Sequence, residues 1–147
     1  MMKLKLNYDT LKVSENILIA TDNSGSIGEK ESDQVKISYD RVAYYLFRVA
    51  YMESLAAGVR PKAILLNNFN GDSAWEKLID GLKKAFDELE IPLLKIEGST
   101  ESNFELKESA TSLSIIGEEI QTERIEWRNQ LKEDYDIAVI GEPFVGE

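Results

Sequence analysis

Residues 17–36 read ILIATDNSGSIGEKESDQVK. The stretch opens on an unbroken apolar run at 17–20, which predicts a buried strand. The run passes into Thr21 and Asp22. Residues 22–32 hold two glycines, Gly25 and Gly28, and three serines, a composition that predicts a loop rather than a helix interior or a strand. Lys30 and Lys36 lie among the acids Glu29, Glu31 and Asp33. A carboxylate at a strand end, a glycine loop and flanking lysines are the parts of a Mg²⁺–phosphate site. Asp22 would give the metal its carboxylate. Gly25 and Gly28 would let backbone N–H groups reach phosphate oxygens without a Cβ in the way. Lys30 or Lys36 would add a point charge. A turn with solvated charges is the competing reading. The spacing matches neither a P-loop nor a dinucleotide fingerprint, because no helix opens at the glycines.

Downstream, Ser38 is an N-cap residue with Asp40 in the first turn, and a helix is predicted to residue 57. Val42, Leu46, Val49 and Glu53 share one face, with Ala43, Phe47, Ala50, Ser54 and Ala57 beside it. Glu53 is then a carboxylate on an apolar stripe, which requires a cation, a metal or an edge position. It is the second candidate metal acid. Gly58 and Pro61 end the helix. A strand is predicted at 63–66, reaching about 69, with Asn67, Asn68, Asn70, Gly71 and Asp72 as its polar exit. Ser73 and Glu76 form a capping box for a second helix. Its stripe is Trp75, Leu78, Ile79, Leu82, Ala85, Phe86 and Leu89, and Pro92 marks its end. Trp75, Phe86 and the Tyr44–Tyr45 pair are expected in the core or at a dimer contact.

A strand at 93–96 is predicted to enter a polar loop at 98–103. There Gly98, Ser99, Thr100 and Glu101 offer groups for phosphate or ribose, although an ordinary loop is the simpler reading of them alone. A strand at 111–116 ends at Gly117. Residues 118–135 read as a charged linker or frayed helix, and 137–140 as a last strand. At the start, Leu4 and Leu6 alternate with Lys3 and Lys5 as in an edge strand, and 7–10 reads as a turn. The order β-α-β-α-β-β predicts an α+β two-layer domain with both helices on one sheet face. The other face needs a cover, and a second subunit is the simplest one.

The bulk numbers agree. The 147 residues are 43% hydrophobic and 30% charged, enough for one domain with a real core. The net charge of −10 argues against a nucleic-acid partner. With no Cys and no His, disulfides, zinc–thiolate sites, a Cys nucleophile and a Ser-His-Asp arrangement are excluded. Acid–base work would fall to Asp, Glu, Lys or Tyr. No window approaches a membrane span and the start has no apolar h-region, so a cytoplasmic protein with no membrane partner is expected.

Three segments together carry a family resemblance. TDNSGSIGEKESDQVK, VAYMESLAAGVRP and EGSTESN followed by ATSLSIIGE resemble the N-terminal half of the aminoimidazole ribonucleotide (AIR) synthetase superfamily. That superfamily includes selenophosphate synthetase, thiamine-monophosphate kinase and a hydrogenase-maturation protein. GSIGEKESDQVK and YMESLAAG are most similar to the α-ribazole kinase branch of cobalamin salvage. The resemblance spans residues 9–120, with a fainter match over 135–147. It implies a β-α-β-α-β-β domain whose sheet pairs with a second copy into a barrel, and ATP–Mg²⁺ bound at that barrel. Asp22 would be the metal acid, Lys30 a phosphate contact, and Gly25 and Gly28 the loop formers. Glu53 would take the helix acid, where most branches carry Asp. Gly98, Ser99 and Thr100 would stand in the later phosphate-side loop. Many relatives carry an acid where Ser99 stands, and Glu101 is nearby.

The resemblance divides the chain into an ATP-binding domain, 1–120, and a segment 121–147 holding a linker and the start of a second domain. DYDIAVIGEPFVGE resembles that domain's opening strand and glycine turn. Three arrangements stay open: half of a longer protein, a half that works with a separate C-terminal-domain protein, or a degenerate nucleotide binder. The function implied is the ATP–Mg²⁺-binding domain of a small-metabolite kinase or ATP-dependent synthetase, with α-ribazole as one acceptor. The alternative is a non-catalytic dimerisation or regulatory module that binds nucleotide without turnover.

Overall fold

The computed structural model describes residues 10–120. The edge strand expected at 3–6 and everything expected within 121–147 lie outside the described residues. The elements are β1 (Thr10–Lys12), β2 (Ile17–Gly25), β3 (Ile27–Gly28), β4 (Val35–Lys36), α1 (Tyr39–Ala56), β5 (Val59–Asn68), α2 (Asp72–Glu88), β6 (Lys95–Thr100) and β7 (Ala110–Glu119). Five strands form one sheet in the order β1-β2-β7-β5-β6, and β3 and β4 make a small parallel pair. β5 and β6 run parallel and are joined through α2, as a crossover connection requires. β7 is the last of the described elements in sequence and pairs antiparallel with both β2 and β5, at the centre of the sheet.

Alternation along the strands decides which residues meet the helices. Leu18 and Ala20 of β2, Leu113 and Ile115 of β7, and Ile64 and Leu66 of β5 are buried. Against them α1 buries Ala43, Phe47 and Ala50, and α2 buries Leu78, Leu82, Ala85 and Phe86. The Phe47 ring meets the edge of Phe86 at 4.9 Å and stacks on Tyr51 at 5.3 Å. Each such fully buried large side chain contributes about 1.5–3 kcal/mol. The helices touch closely where α2 carries Gly81, since a Cβ there would lie 2.0 Å from the Asp40 carbonyl oxygen.

The α+β architecture and the shared helix face agree with the expectation. Several boundaries do not. β2 runs through Asp22 to Gly25, so the expected loop begins four residues later, at Ser26. Polar residues hold the strand because β7 satisfies its backbone whatever the side chains are. β6 covers Lys95–Thr100 rather than 93–96, which puts Gly98, Ser99 and Thr100 in a strand and leaves Leu93 exposed. Pro61 lies inside β5, where a bulge between Pro61 and Ala63 absorbs its missing donor. The capping box at Ser73 is not made: α2 starts at Asp72, after Gly71 turns the chain at φ +87°. Thr10, expected in a turn, belongs to β1. The buried stripe of α1 centres on Ala43, Phe47, Ala50 and Ser54, so Val49 is exposed and Glu53 is only half-buried at its margin.

The sheet face away from the helices is open. Leu11, Ile17 and Leu65 are exposed there, beside Ile19, Ala63 and Ile116. The described residues form this open sheet and the small β3–β4 pair, and no closed barrel.

Candidate functional site

The segment between β2 and α1 is tied down by its own charges. Ser26 takes φ 58° and donates its N–H to the Ser109 carbonyl at 2.8 Å. Asp33 is buried beneath the segment. Its carboxylate accepts the Ser109 N–H at 2.6 Å, the Ser109 hydroxyl at 2.7 Å and the Lys30 N–H at 2.8 Å. Burial pushes the Asp33 pKa up, but the Ser109 and Lys30 hydrogen bonds and the Lys36 charge outweigh it and hold the carboxyl below its usual range. The Tyr39 hydroxyl joins Ser109 Oγ at 3.0 Å. Glu29 accepts the Tyr39 N–H at the start of α1 at 3.2 Å and pairs with Lys77 of α2 at 2.5 Å, and that bond raises the Lys77 pKa. Glu29 thereby occupies an orphan donor at a helix N-terminus, although it lies ten residues away.

Both candidate cations are engaged. Lys30 Nζ donates to the Leu106 carbonyl at 2.8 Å and to that of Phe69 at 3.4 Å. Lys36 Nζ donates to the carbonyls of Lys30 and Glu31. The two glycines differ. A Cβ on Gly28 would come within 2.4 Å of Ser109 Oγ, so Gly28 is required by the protein's own packing. A Cβ on Gly25 would meet nothing within 4 Å, which leaves open space beside the end of β2.

Register places the acids. Asp22 pairs with Leu113, which pairs with Leu66, which pairs with Gly98, so all four share one cross-strand row. Asp22 is on the helix side of the sheet, in the same alternation as Leu18 and Ala20, and lines a cavity of about 220 Å³ with Val42, Leu46 and Val49 of α1. Gly98 is three strands away, about 14 Å at the usual strand spacing. Trp75 of α2 covers Gly98, whose Cβ would also lie 1.9 Å from the Leu66 oxygen. Glu53 stands one helical turn past Val49, toward the end where Ala57 packs on Leu18 and Val59. Ser99 faces the open side near Asn67, while Thr100 turns inward and accepts from Asn68 Nδ2 at 3.2 Å. The Glu101 N–H donates to the Asn68 carbonyl at 2.7 Å. The two expected loops do share one end of the sheet, since Ser24, Thr111, Asn68 and Thr100 form one row. Gly98 and Ser99, however, point to opposite faces.

That sheet end carries groups the sequence did not single out. The Asn68 side chain donates to the Gly71 carbonyl at 2.9 Å and accepts the Asn70 N–H at 2.9 Å. Asn70 donates to Thr111 Oγ1 at 2.8 Å and accepts the Ala110 N–H at 2.9 Å. These links fix the turn into α2 against β7. Asparagines at a strand exit are a turn signal, but their partners some 40 residues on leave no trace in local spacing.

The donor set can be weighed against Mg²⁺ and a nucleotide. Among the described residues no three acidic side chains gather closely enough to hold a metal by themselves. Mg²⁺ does not need that: it takes one or two carboxylates and completes its shell with water and phosphate oxygens. Asp22, a single carboxylate on the helix side of β2, suits that mode, while the open space at Gly25 lies on the other sheet face. Also among the described residues, no helix is long and apolar enough to cross a membrane.

A mixed five-stranded sheet with two helices on one face recurs in solved structures of larger proteins. Thiamine monophosphate kinase from Aquifex aeolicus superposes with a TM-score of 0.53 at 18% identity, over 77% of this chain and 38% of that one. AaThiL complexed with AMPPCP and TMP gives 0.50 at 17% identity, over 74% and 34%. A chain of a HypE–HypF complex gives 0.51 at 11% identity, over 92% and 53%. The described chain thus shares the fold of thiamine-monophosphate kinase and its AIR synthetase-family relatives. It spans between a third and about half of the length of these structures. No protein-family model and no curated protein matches the sequence.

Proposed function

We propose that this chain is the nucleotide-binding half of an ATP-dependent small-metabolite kinase or synthetase. The observation that carries the reading is the shared fold with thiamine-monophosphate kinase, one structure of which is complexed with AMPPCP. In this reading ATP–Mg²⁺ sits at the sheet end where β2, β5 and β6 finish. Asp22 holds the metal, with Glu53 as a second acid one helical turn beyond the cavity. The backbone at Gly25 and Gly28 and the side chains of Ser99, Thr100 and Glu101 border the phosphates, with Gly98 shaping β6. Lys30 and Lys36 exchange their carbonyl partners for phosphate oxygens. The metal, when bound, neutralises charge on the phosphates. Two copies pair their open sheet faces into a barrel. Residues 1–120 form this domain, and 121–147 a linker and the opening of a second domain that completes the site, in this chain or in a separate partner. The setting is the cytoplasm, where ATP is available, and α-ribazole is one candidate acceptor.

Titration calorimetry with ATP and Mg²⁺ tests the reading. The wild type should bind ATP only with Mg²⁺, and Asp22→Asn should abolish that binding while unfolding at the same temperature. Unchanged affinity in Asp22→Asn would sink the assignment. A second reading, a dimerisation or regulatory module that binds nucleotide without turnover, is favoured by the way Lys30 and Lys36 both spend their charge on loop carbonyls. Nucleotide binding with no phosphoryl transfer to a metabolite panel would select it.

A further inference from the structure

Residues 102–108 read SNFELKE, and every one of them is exposed. Both ends of this strap are clamped. The Glu101 N–H donates to the Asn68 carbonyl at 2.7 Å, and the Ser109 N–H donates to Asp33 at 2.6 Å. Between the clamps, among the described residues, one hydrogen bond reaches the strap from the body of the domain: Lys30 Nζ donates to the Leu106 carbonyl at 2.8 Å. The other bond, from the Asn103 N–H to Glu101 at 2.7 Å, is local. The same ammonium reaches the Phe69 carbonyl at 3.4 Å, so it bridges the strap and the exit of β5. Asp33 fixes the Lys30 backbone from beneath, accepting its N–H at 2.8 Å and donating to its carbonyl at 3.1 Å. For Lys30 to change partners, only its side chain has to swing. A carbonyl offers the ammonium a dipole, whereas a phosphate oxygen offers a full negative charge and the stronger bond. The strap also carries Phe104, which at 79% is the most exposed large apolar side chain of the described residues. A ring standing in water gains from any surface it can reach.

We propose that Lys30 is a latch: it holds 102–108 to the exit of β5 in the empty chain and lets it go when it turns to a phosphate. Nucleotide occupancy then sets the mobility of an exposed apolar side chain beside the site. The coupling rests on the phosphotransfer reading above, whereas the latch is a property of the empty chain. A segment held by one bond belongs to the low-stability elements from which gating motions are drawn.

The Lys107 N–H shares the peptide plane of the Leu106 carbonyl, so its ¹⁵N relaxation reads the latch directly. In the full 147-residue chain without ligand its order parameter should be that of rigid backbone, about 0.85, and saturating ATP–Mg²⁺ should lower it below about 0.6. Lys30→Met, which keeps the stem and removes the charge, should give the same low value with no ligand. Lys30→Arg should restore both the rigid value and the response to ATP. Adenosine, which has no phosphate, should leave the strap held. A strap that stays rigid in Lys30→Met is held by the packing of Leu106, and the latch fails. A strap already mobile in the ligand-free wild type overturns it equally, and release by adenosine overturns the role of the phosphate. Calorimetry on the same samples keeps the two readings apart. ATP–Mg²⁺ binding with no fall at Lys107 removes the coupling and leaves the phosphotransfer reading in place. No ATP binding removes the phosphotransfer reading and the coupling together, while Lys30→Met still decides the latch.

Discussion

A Cβ on Gly28 would stand 2.4 Å from Ser109 Oγ and 2.7 Å from the Tyr39 ring, whereas one on Gly25 would meet nothing within 4 Å. Gly28→Ala should therefore cost about 2 kcal/mol, by prising Ser109 and Tyr39 apart. Gly25→Ala should change stability by less than about 0.5 kcal/mol. Urea unfolding midpoints of the two variants check this, and equal effects would remove the packing role of Gly28. Asp33 sits beneath the same contact and takes three hydrogen bonds as a buried anion. Its pKa is lower in the folded chain than the ordinary 3.8. The stability it contributes is fully present above its unfolded pKa and is lost as pH falls through the folded value. Asp33→Asn should lose about 3 kcal/mol at pH 7, and the gap from wild type should shrink below pH 4, where the wild-type carboxyl takes up its proton. Denaturant midpoints between pH 7 and pH 2 follow that gap. A gap that is constant with pH would mean that Asp33 acts by shape and not by charge.

Gly81 shows how far an element's neighbours override its own preferences. Within a helix, Gly→Ala normally stabilises by about 1 kcal/mol. Here the new Cβ would be driven to 2.0 Å from the Asp40 carbonyl, so α1 and α2 must separate. Gly81→Ala should destabilise by about 2 kcal/mol or more, a reversal of sign that thermal unfolding detects directly. Both helices were legible in the sequence, because their apolar stripes carry their own 3.6-residue period and their ends carry Ser38, Gly58 and Pro92. The strands were legible as places but not as lengths. Backbone pairing with β7 decides that β2 reaches Gly25 and that β5 accepts Pro61, and nothing in TDNSG or VRPK reports it. The candidate site divides the same way. The acid after the first apolar run and the glycine-rich segment stand out locally. The Asp33–Ser109 and Asn70–Thr111 bonds that shape their surroundings span 76 and 41 residues and left no periodic signal. Glu53 falls at the margin of the buried stripe because, past Val42 and Leu46, burial follows Ala50 and Ser54, each one residue or about 100° round from Val49 and Glu53.

At the scale of the whole molecule, the open sheet face is graded. One row across it is apolar over four strands, with Leu11, Ile19, Ile116 and Ala63, and ends on Lys95 at the β6 edge; the next carries Thr21, Ser114 and Leu65 and ends on Glu97; the next is wholly amide and hydroxyl, with Asn23, Ser112, Asn67 and Ser99. Charged side chains on this face are exposed and paired with each other, as in Lys62–Glu118 at 2.9 Å and Lys95–Glu97 at 3.4 Å, so little charge must be stripped to cover the apolar row. A second copy laid on this face buries Ile19 and Ile116 and leaves the neutral amide and hydroxyl row to hydrogen-bond with its counterpart or with water. The chain should therefore sediment as a dimer. Ile19→Lys, which puts an unpaired ammonium in the apolar row, should shift it to monomer by a factor of a hundred or more in dissociation constant, roughly 3 kcal/mol. Because the contact is apolar, raising NaCl to 1 M should leave the wild-type dimer intact, whereas an association held by ion pairs would weaken. Leu65→Lys, one row further in, should act in the same direction, while Leu93→Lys, exposed beyond the end of α2, should not. A monomeric wild type in sedimentation velocity, or a dimer indifferent to Ile19→Lys, would assign the open face to some other cover.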